Sequence, residues 1–170
     1  MTRTRRRCGR WRISIVTMIA AIAGFAVICG AAGAEELTRD EYVAKLESLC
    51  KPRVQEIERR VDGVRSDVHR GKLKIAGKKF GIAAKIFGRS VRENTPIPRP
   101  KEYRNQLKTW FRYLHQQEEY MQKISKAFGR EEGVKGQRYV SRFVHSGNLS
   151  NNTVFGWGFN YCSFKFSRYG

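Results

Sequence analysis

Apolar residues recur along most of this chain at the three-and-four spacing of a helix face, and the two-residue alternation of a strand is scarce. Leu37-Thr38-Arg39-Asp40-Glu41 opens the first helical segment. Thr38 with Glu41 three residues on is a capping-box pattern, and Glu35, Glu36, Asp40 and Glu41 suit the positive end of a helix. Val43, Leu46, Cys50, Ile57, Val61, Val64 and Val68 then share one face. Pro52 has no amide hydrogen, which predicts a kink or a division after Cys50. Gly71 supplies a C-terminal stop. The second segment runs from Leu73 to Asn94. Leu73, Phe80, Ala84, Phe87 and Val91 form one face, with Ile82 and Ile86 widening it. Gly77, Gly81 and Gly88 each weaken an isolated helix by about 1 kcal/mol relative to Ala. Packing must therefore stabilise this helix, and residues so small permit a neighbouring helix to approach closely.

Thr95-Pro96-Ile97-Pro98-Arg99-Pro100 ends the second helix and predicts an extended connection. From about Lys101 to Gly129 comes the most regular pattern. Leu107, Trp110, Leu114, Met121, Ile124 and Phe128 keep a seven-residue repeat in which Gln117 is the one polar member. A further helix is expected from Val134 to Val144, using Val140, Phe143 and Val144. Ser146-Gly147-Asn148 then reads as a turn, and Ser150 to Thr153 as the cap of a short helix. The aromatic and glycine-rich stretch from Val154 to Cys162 suggests a compact lid. The expected fold class is all-α: an antiparallel bundle of three to four helices with an aromatic/Gly-rich C-terminal segment.

One stretch does not belong to this pattern. Ile13 to Ala34 holds 22 residues with no charge and no proline, behind Arg3, Arg5, Arg6, Arg7, Arg10 and Arg12. A basic head, an apolar run and small residues make an export signal. Ala32-Gly33-Ala34 fits the signal-peptidase pattern, so cleavage would leave Glu35 as the N-terminus. The run is also long enough to stay as a membrane anchor. A third reading lipidates Cys29, against which stands the bulky Ile28 before it. All three place the rest of the chain across the membrane, extracellular or on the outer face of the cytoplasmic membrane. Residues 1–34 are thus read as signal peptide or anchor, and 35–170 as a single exported helical domain containing the proline-rich linker 95–100.

Charge and cysteines then sharpen the picture. The exported part keeps 28 basic and 15 acidic residues, a net of +13. Such a surplus favours anionic partners. Its densest stretch is Gly71 to Arg92, where Lys72, Lys74, Lys78, Lys79, Lys85, Arg89 and Arg92 stand opposite Phe and Ile, as in an amphipathic helix of a membrane surface. The same pattern also fits a helix whose apolar face packs in the core while its lysines face water. Cys8 and Cys29 belong to the export segment, so Cys50 and Cys162 remain. An oxidising compartment favours their one possible intramolecular bond; two buried thiols or an intermolecular bond are the alternatives.

The chain contains no H-E-x-x-H, G-x-S-x-G, P-loop or dinucleotide fingerprint. His115 with Glu118 or Glu119 lies at helical spacing and offers two metal ligands, though a solvated polar face is the preferred reading of the same residues. No catalytic residue, cofactor or metal is assigned.

LTRDEYVAKLESLC, the basic helical pair, the PxPxP linker, WFRYLHQQEEYMQKI and the terminal NNTVFGWGFNYC together resemble a group of small exported bacterial α-helical proteins with one cysteine near each end of the domain. The resemblance covers most of residues 37–162. It implies a secreted or envelope-attached helical domain with a Cys50–Cys162 bridge, and it carries over no catalytic residue. The expected function is that of a non-enzymatic cell-envelope protein whose basic surface meets anionic lipid or a wall polymer. The alternatives are a module that recognises another envelope protein through aromatic residues near Trp157, and a metal-dependent enzyme around His115. Nucleic acid fits the charge but not the compartment and is not expected.

Overall fold

The computed structural model describes residues 36–169. The export segment, its cleavage site, Cys8 and Cys29 lie outside the described residues. Ala34–Gly170 form one compact unit. The whole hydrophobic core and the disulfide lie inside it. Among the described residues, every contact of that core lies within 36–169.

Among the described residues the fold is an all-α bundle of five helices, four of them long: α1 (Arg39–Val61), α2 (Val64–His69), α3 (Leu73–Asn94), α4 (Arg104–Gly129) and α5 (Gly133–Thr153). Short 3-10 turns precede α4 at Lys101–Tyr103 and close the chain at Phe166–Tyr169. The long helices run antiparallel in sequence order. Arg53 of α1 meets Glu93 of α3, Gly88 of α3 meets Glu118 of α4, and Gln117 of α4 meets Ser150 of α5. Two expected segment starts are where the pattern puts them. Thr38 caps α1 reciprocally with Glu41, and α3 spans Leu73–Asn94 as its apolar spacing predicts. The heptad residues of α4, Gln117 included, are buried.

Two expected boundaries are corrected. Pro52 does not divide the first helix, which continues through it to Val61. The break falls at Asp62-Gly63, where Gly63 takes the left-handed conformation (φ +68°) that L side chains avoid. Nor does the chain turn at Ser146-Gly147-Asn148 or start a short helix capped by Ser150 to Thr153, because α5 runs unbroken to Thr153. There Ser146, Ser150 and Thr153 turn their hydroxyls back onto the carbonyls of Phe143, Gly147 and Leu149. Gly147 serves packing rather than turning. A Cβ on it would lie 2.4 Å from the Phe164 ring. The proline-rich connection also differs from a free linker, since Ile97 and Pro100 are buried and close one end of the core.

The core has two halves. Ile57, Phe80, Met121, Ile124, Phe128 and Phe143 centre one. Tyr42, Leu46, Leu107, Trp110, Trp157 and the disulfide centre the other. Phe87 touches both. α3 is the shared element, because it packs on α1, α2 and α4. Its contact with α4 is unusually intimate. A Cβ on Gly77 would lie 2.7 Å from the Gly129 backbone nitrogen and 2.9 Å from the Ser125 carbonyl oxygen. Neither is a flexible side-chain end that can move aside.

The C-terminal segment after α5 has little regular structure, and side chains satisfy its backbone. The Glu47 carboxylate accepts from the amides of Asn160, Tyr161 and Cys162. Asn151 bonds Phe164 twice, through its amide and its carbonyl. Arg168 donates to the carbonyls of Asn160, Tyr161 and Ser163. The Cys50–Cys162 bond spans 112 residues, which confirms the intramolecular pairing.

Two outcomes follow. Replacing Cys50 and Cys162 with Ser releases a loop of more than 100 residues and is expected to destabilise the domain by about 4–5 kcal/mol, read as a lower denaturant midpoint than that of the oxidised wild type. Gly77→Ala is expected to destabilise by about 1–3 kcal/mol although it raises helix propensity; a thermal melt at or above the wild-type temperature would show that α3 and α4 can separate freely.

Candidate functional site

The seven basic residues of the α3 segment do not form one uniform surface. Lys79 is drawn inward. It donates to Asp67 Oδ2 at 2.7 Å and to the Asp62 carbonyl, and so ties α3 to α2 and to the end of α1. Lys74 pairs with Glu131 at 3.0 Å and Arg92 with Glu118 at 3.6 Å, both with their side chains largely in solvent. Lys72, Lys78, Lys85 and Arg89 are exposed, and no carboxylate among the described residues bridges them.

Ile82 is not part of the core face, contrary to the expectation from spacing. Gly77, Gly81 and Gly88 face α4, which rotates α3 so that the positions one step on point outward. Ile75 and Ile82 are 47% and 42% exposed. With Lys78, Lys85, Arg89 and Arg92 they form a row at steps of three and four: Ile75, Lys78, Ile82, Lys85, Arg89, Arg92. This outer row combines half-exposed branched aliphatics with cations, of which Lys78, Lys85 and Arg89 are bridged to no carboxylate among the described residues while Arg92 pairs with Glu118. The opposite face of the same helix fills the core with Phe80, Ala83 and Val91.

A second basic cluster escaped the reading of the sequence. Lys123, Lys126 and Arg130 at the end of α4 and Lys135, Arg138 and Arg142 at the start of α5 repeat at the same three-and-four steps, with only Glu131 and Glu132 between them. That spacing was the available signal. Lys123 lies over the rings of both Tyr120 and Tyr139, and Val134 beside the cluster is 72% exposed. The Lys74–Glu131 pair and the contact of Gly133 with Leu73 join this turn to the start of α3. Ile75, Lys78 and the α4–α5 bases thus share one end of the bundle.

The other candidates are less open. Trp157 is only 6% exposed, with its ring edge-on to Tyr42 and Tyr103 and stacked on Phe159. It is core, not a presented surface; the aromatic side chain that faces solvent there is Phe155, at 88%. His115 is exposed, while Glu118 and Glu119 turn to Arg92 and Lys123. Among the described residues no three His, Cys, Asp or Glu side chains converge as a metal would require, and no helix is long and apolar enough to cross a membrane.

The electrostatics of Lys79 has a pH signature. Its hydrogen bond holds the Asp67 carboxyl below the usual carboxylate range, against the opposing effect of burial. A folded-state pKa below the unfolded value contributes stability that is present above about pH 4 and is lost as pH falls further. Asp67→Asn is therefore expected to flatten the acid limb of a stability–pH curve while leaving the neutral-to-alkaline limb in shape; an unchanged acid limb in chemical denaturation would refute the coupling. Comparison of the chain with protein-family models, with curated proteins and with solved structures returns no match.

Proposed function

We propose that the domain is a non-enzymatic module of the cell envelope that docks on anionic lipid surfaces through the outer row of α3. The observation that carries this reading is the alternation of Ile75 and Ile82 with Lys78, Lys85 and Arg89, all exposed and none of the three cations bridged to a carboxylate. A row meant only to keep the domain soluble would gain nothing from half-exposed isoleucines. A row meant only for a wall polymer would gain nothing from them either. On a bilayer each group has a role. The cations meet head-group phosphates, and the isoleucines enter the boundary between head groups and acyl chains. Export of the domain, read from residues 1–34, brings it to such a surface.

The magnitudes suit reversible attachment. Each base near an anionic membrane contributes about 1 kcal/mol, so Lys78, Lys85 and Arg89 together contribute about 3 kcal/mol. The α4–α5 cluster adds long-range attraction at the same end of the bundle, screened beyond about 10 Å at 0.1 M salt.

The test is co-sedimentation of the oxidised 35–170 domain with anionic and neutral liposomes across a salt series. Binding is expected to anionic vesicles alone and to weaken as salt rises. Lys78→Glu, Lys85→Glu and Arg89→Glu combined are expected to weaken it by roughly 100-fold or more, and Ile82→Ser by a few-fold without changing the salt slope. Equal binding to neutral vesicles, or a charge-reversed triple variant that still sediments, would overturn the reading.

A further inference from the structure

A groove separate from the outer row of α3 lies between α2 and α5. Its volume is about 220 Å³. Phe80 and Phe128, packed at a centroid distance of 6.1 Å, form its floor. Val68 of α2 and Val140 of α5 line its two sides, and Phe166 and Tyr169 of the C-terminal turn line it as well. We propose that this groove binds the alkyl chain of a fatty-acid carboxylate.

Three observations select that ligand. The first is the composition of the walls: apolar side chains dominate and no acidic residue lines the groove. The second is charge. The lining includes Arg65, whose guanidinium lies 5.3 Å from the centroid of the Phe166 ring and which no carboxylate among the described residues bridges. An apolar floor with an unclaimed cation beside it complements an amphiphile whose head is an anion. The third is size. Pockets for drug-sized ligands begin at about 300 Å³, so a groove of about 220 Å³ suits a single short alkyl chain.

α2 has only six residues. Gly63 and Gly71, both at positive φ, bracket it, and the Lys79–Asp67 pair holds it from the side of α3. Each methylene that enters the groove strengthens binding about fourfold, so affinity should climb with chain length until the groove is full.

The experiment is calorimetric titration of the oxidised 35–170 domain with hexanoate, octanoate and decanoate below their micelle concentrations, and with 1-decanol. Decanoate is expected to bind one per domain, and hexanoate, four methylenes shorter, roughly 250-fold more weakly. Arg65→Gln is expected to weaken decanoate about tenfold and leave decanol unchanged. Val140→Trp fills the groove and should abolish binding; if that variant loses its helical circular dichroism, Val68→Phe fills it from the opposite wall. Lys85→Glu, on the α3 row, should bind decanoate as the wild type does, so this proposal and the lipid-docking reading fail separately. No heat with decanoate, no dependence on chain length, full binding by a folded groove-filled variant, or loss of binding in Lys85→Glu would each overturn the proposal.

Discussion

The backbones of α3 and α4 meet at Gly77, and much of the molecule is set by that contact. With no side chain at Gly77, α3 lies against the Ser125–Gly129 stretch of α4, and its rotation about its own axis is fixed. Residues facing α4 are small. Residues one step back, such as Ala76, Phe80 and Ala83, enter the core. Residues one step on, Lys78, Ile82, Lys85 and Arg89, have nowhere to go but solvent. The outer row is therefore a consequence of core geometry. A rotation that buried Ile82 would carry cations into the α3–α4 seam, where desolvation makes each of them costly. The glycines that make α3 a poor helix in isolation are what give it a defined outside.

Much of this was legible in the sequence, and the exceptions have physical causes. The capping box at Thr38, the bounds of α3 and the heptad of α4 follow from local chemistry and apolar spacing, and the structure reproduces them. Pro52 misleads because losing one amide hydrogen does not end a helix whose buried face continues through Ile57 and Val61. Ser146-Gly147-Asn148 misleads because glycine in a turn and glycine under an aromatic ring look alike in one dimension; only the position of Phe164 distinguishes them. Ile82 misleads for the reason given above: helical spacing gives relative angles, and a neighbouring helix sets the zero. The α4–α5 bases were visible as a pattern, but their approach to α3 depends on a long-range antiparallel pairing that periodicity does not encode.

Trp157 illustrates a different limit. Aromatic residues separated by glycines suit a compact lid and equally a presented recognition surface, and here they are a wall of the core, as a lid requires. The difference lies in Glu47. An irregular segment can be buried only where its amides find partners, and one carboxylate on α1 supplies three of them. Asn151 and Arg168 serve the residues that follow. Helices thus lend side chains to a segment that has no secondary structure of its own, and its aromatic rings can then pack.

The disulfide acts at the junction of these effects. Cys162 directly follows the segment that carries Trp157 and Phe159 into one half of the core, and directly precedes the one that carries Phe164 and Tyr169 to the other. Cys50 lies on α1 three residues beyond Glu47, so the covalent link and the carboxylate clamp hold the same stretch of backbone to the same turn of helix. Neither alone fixes both the direction and the depth of the segment. The clamp orients the amides but can dissociate, and the bond is covalent but orients no amide. Together they place Phe166 beside the Phe80–Phe128 floor, and in doing so they bring the chain's last aromatic residues to the groove between α2 and α5.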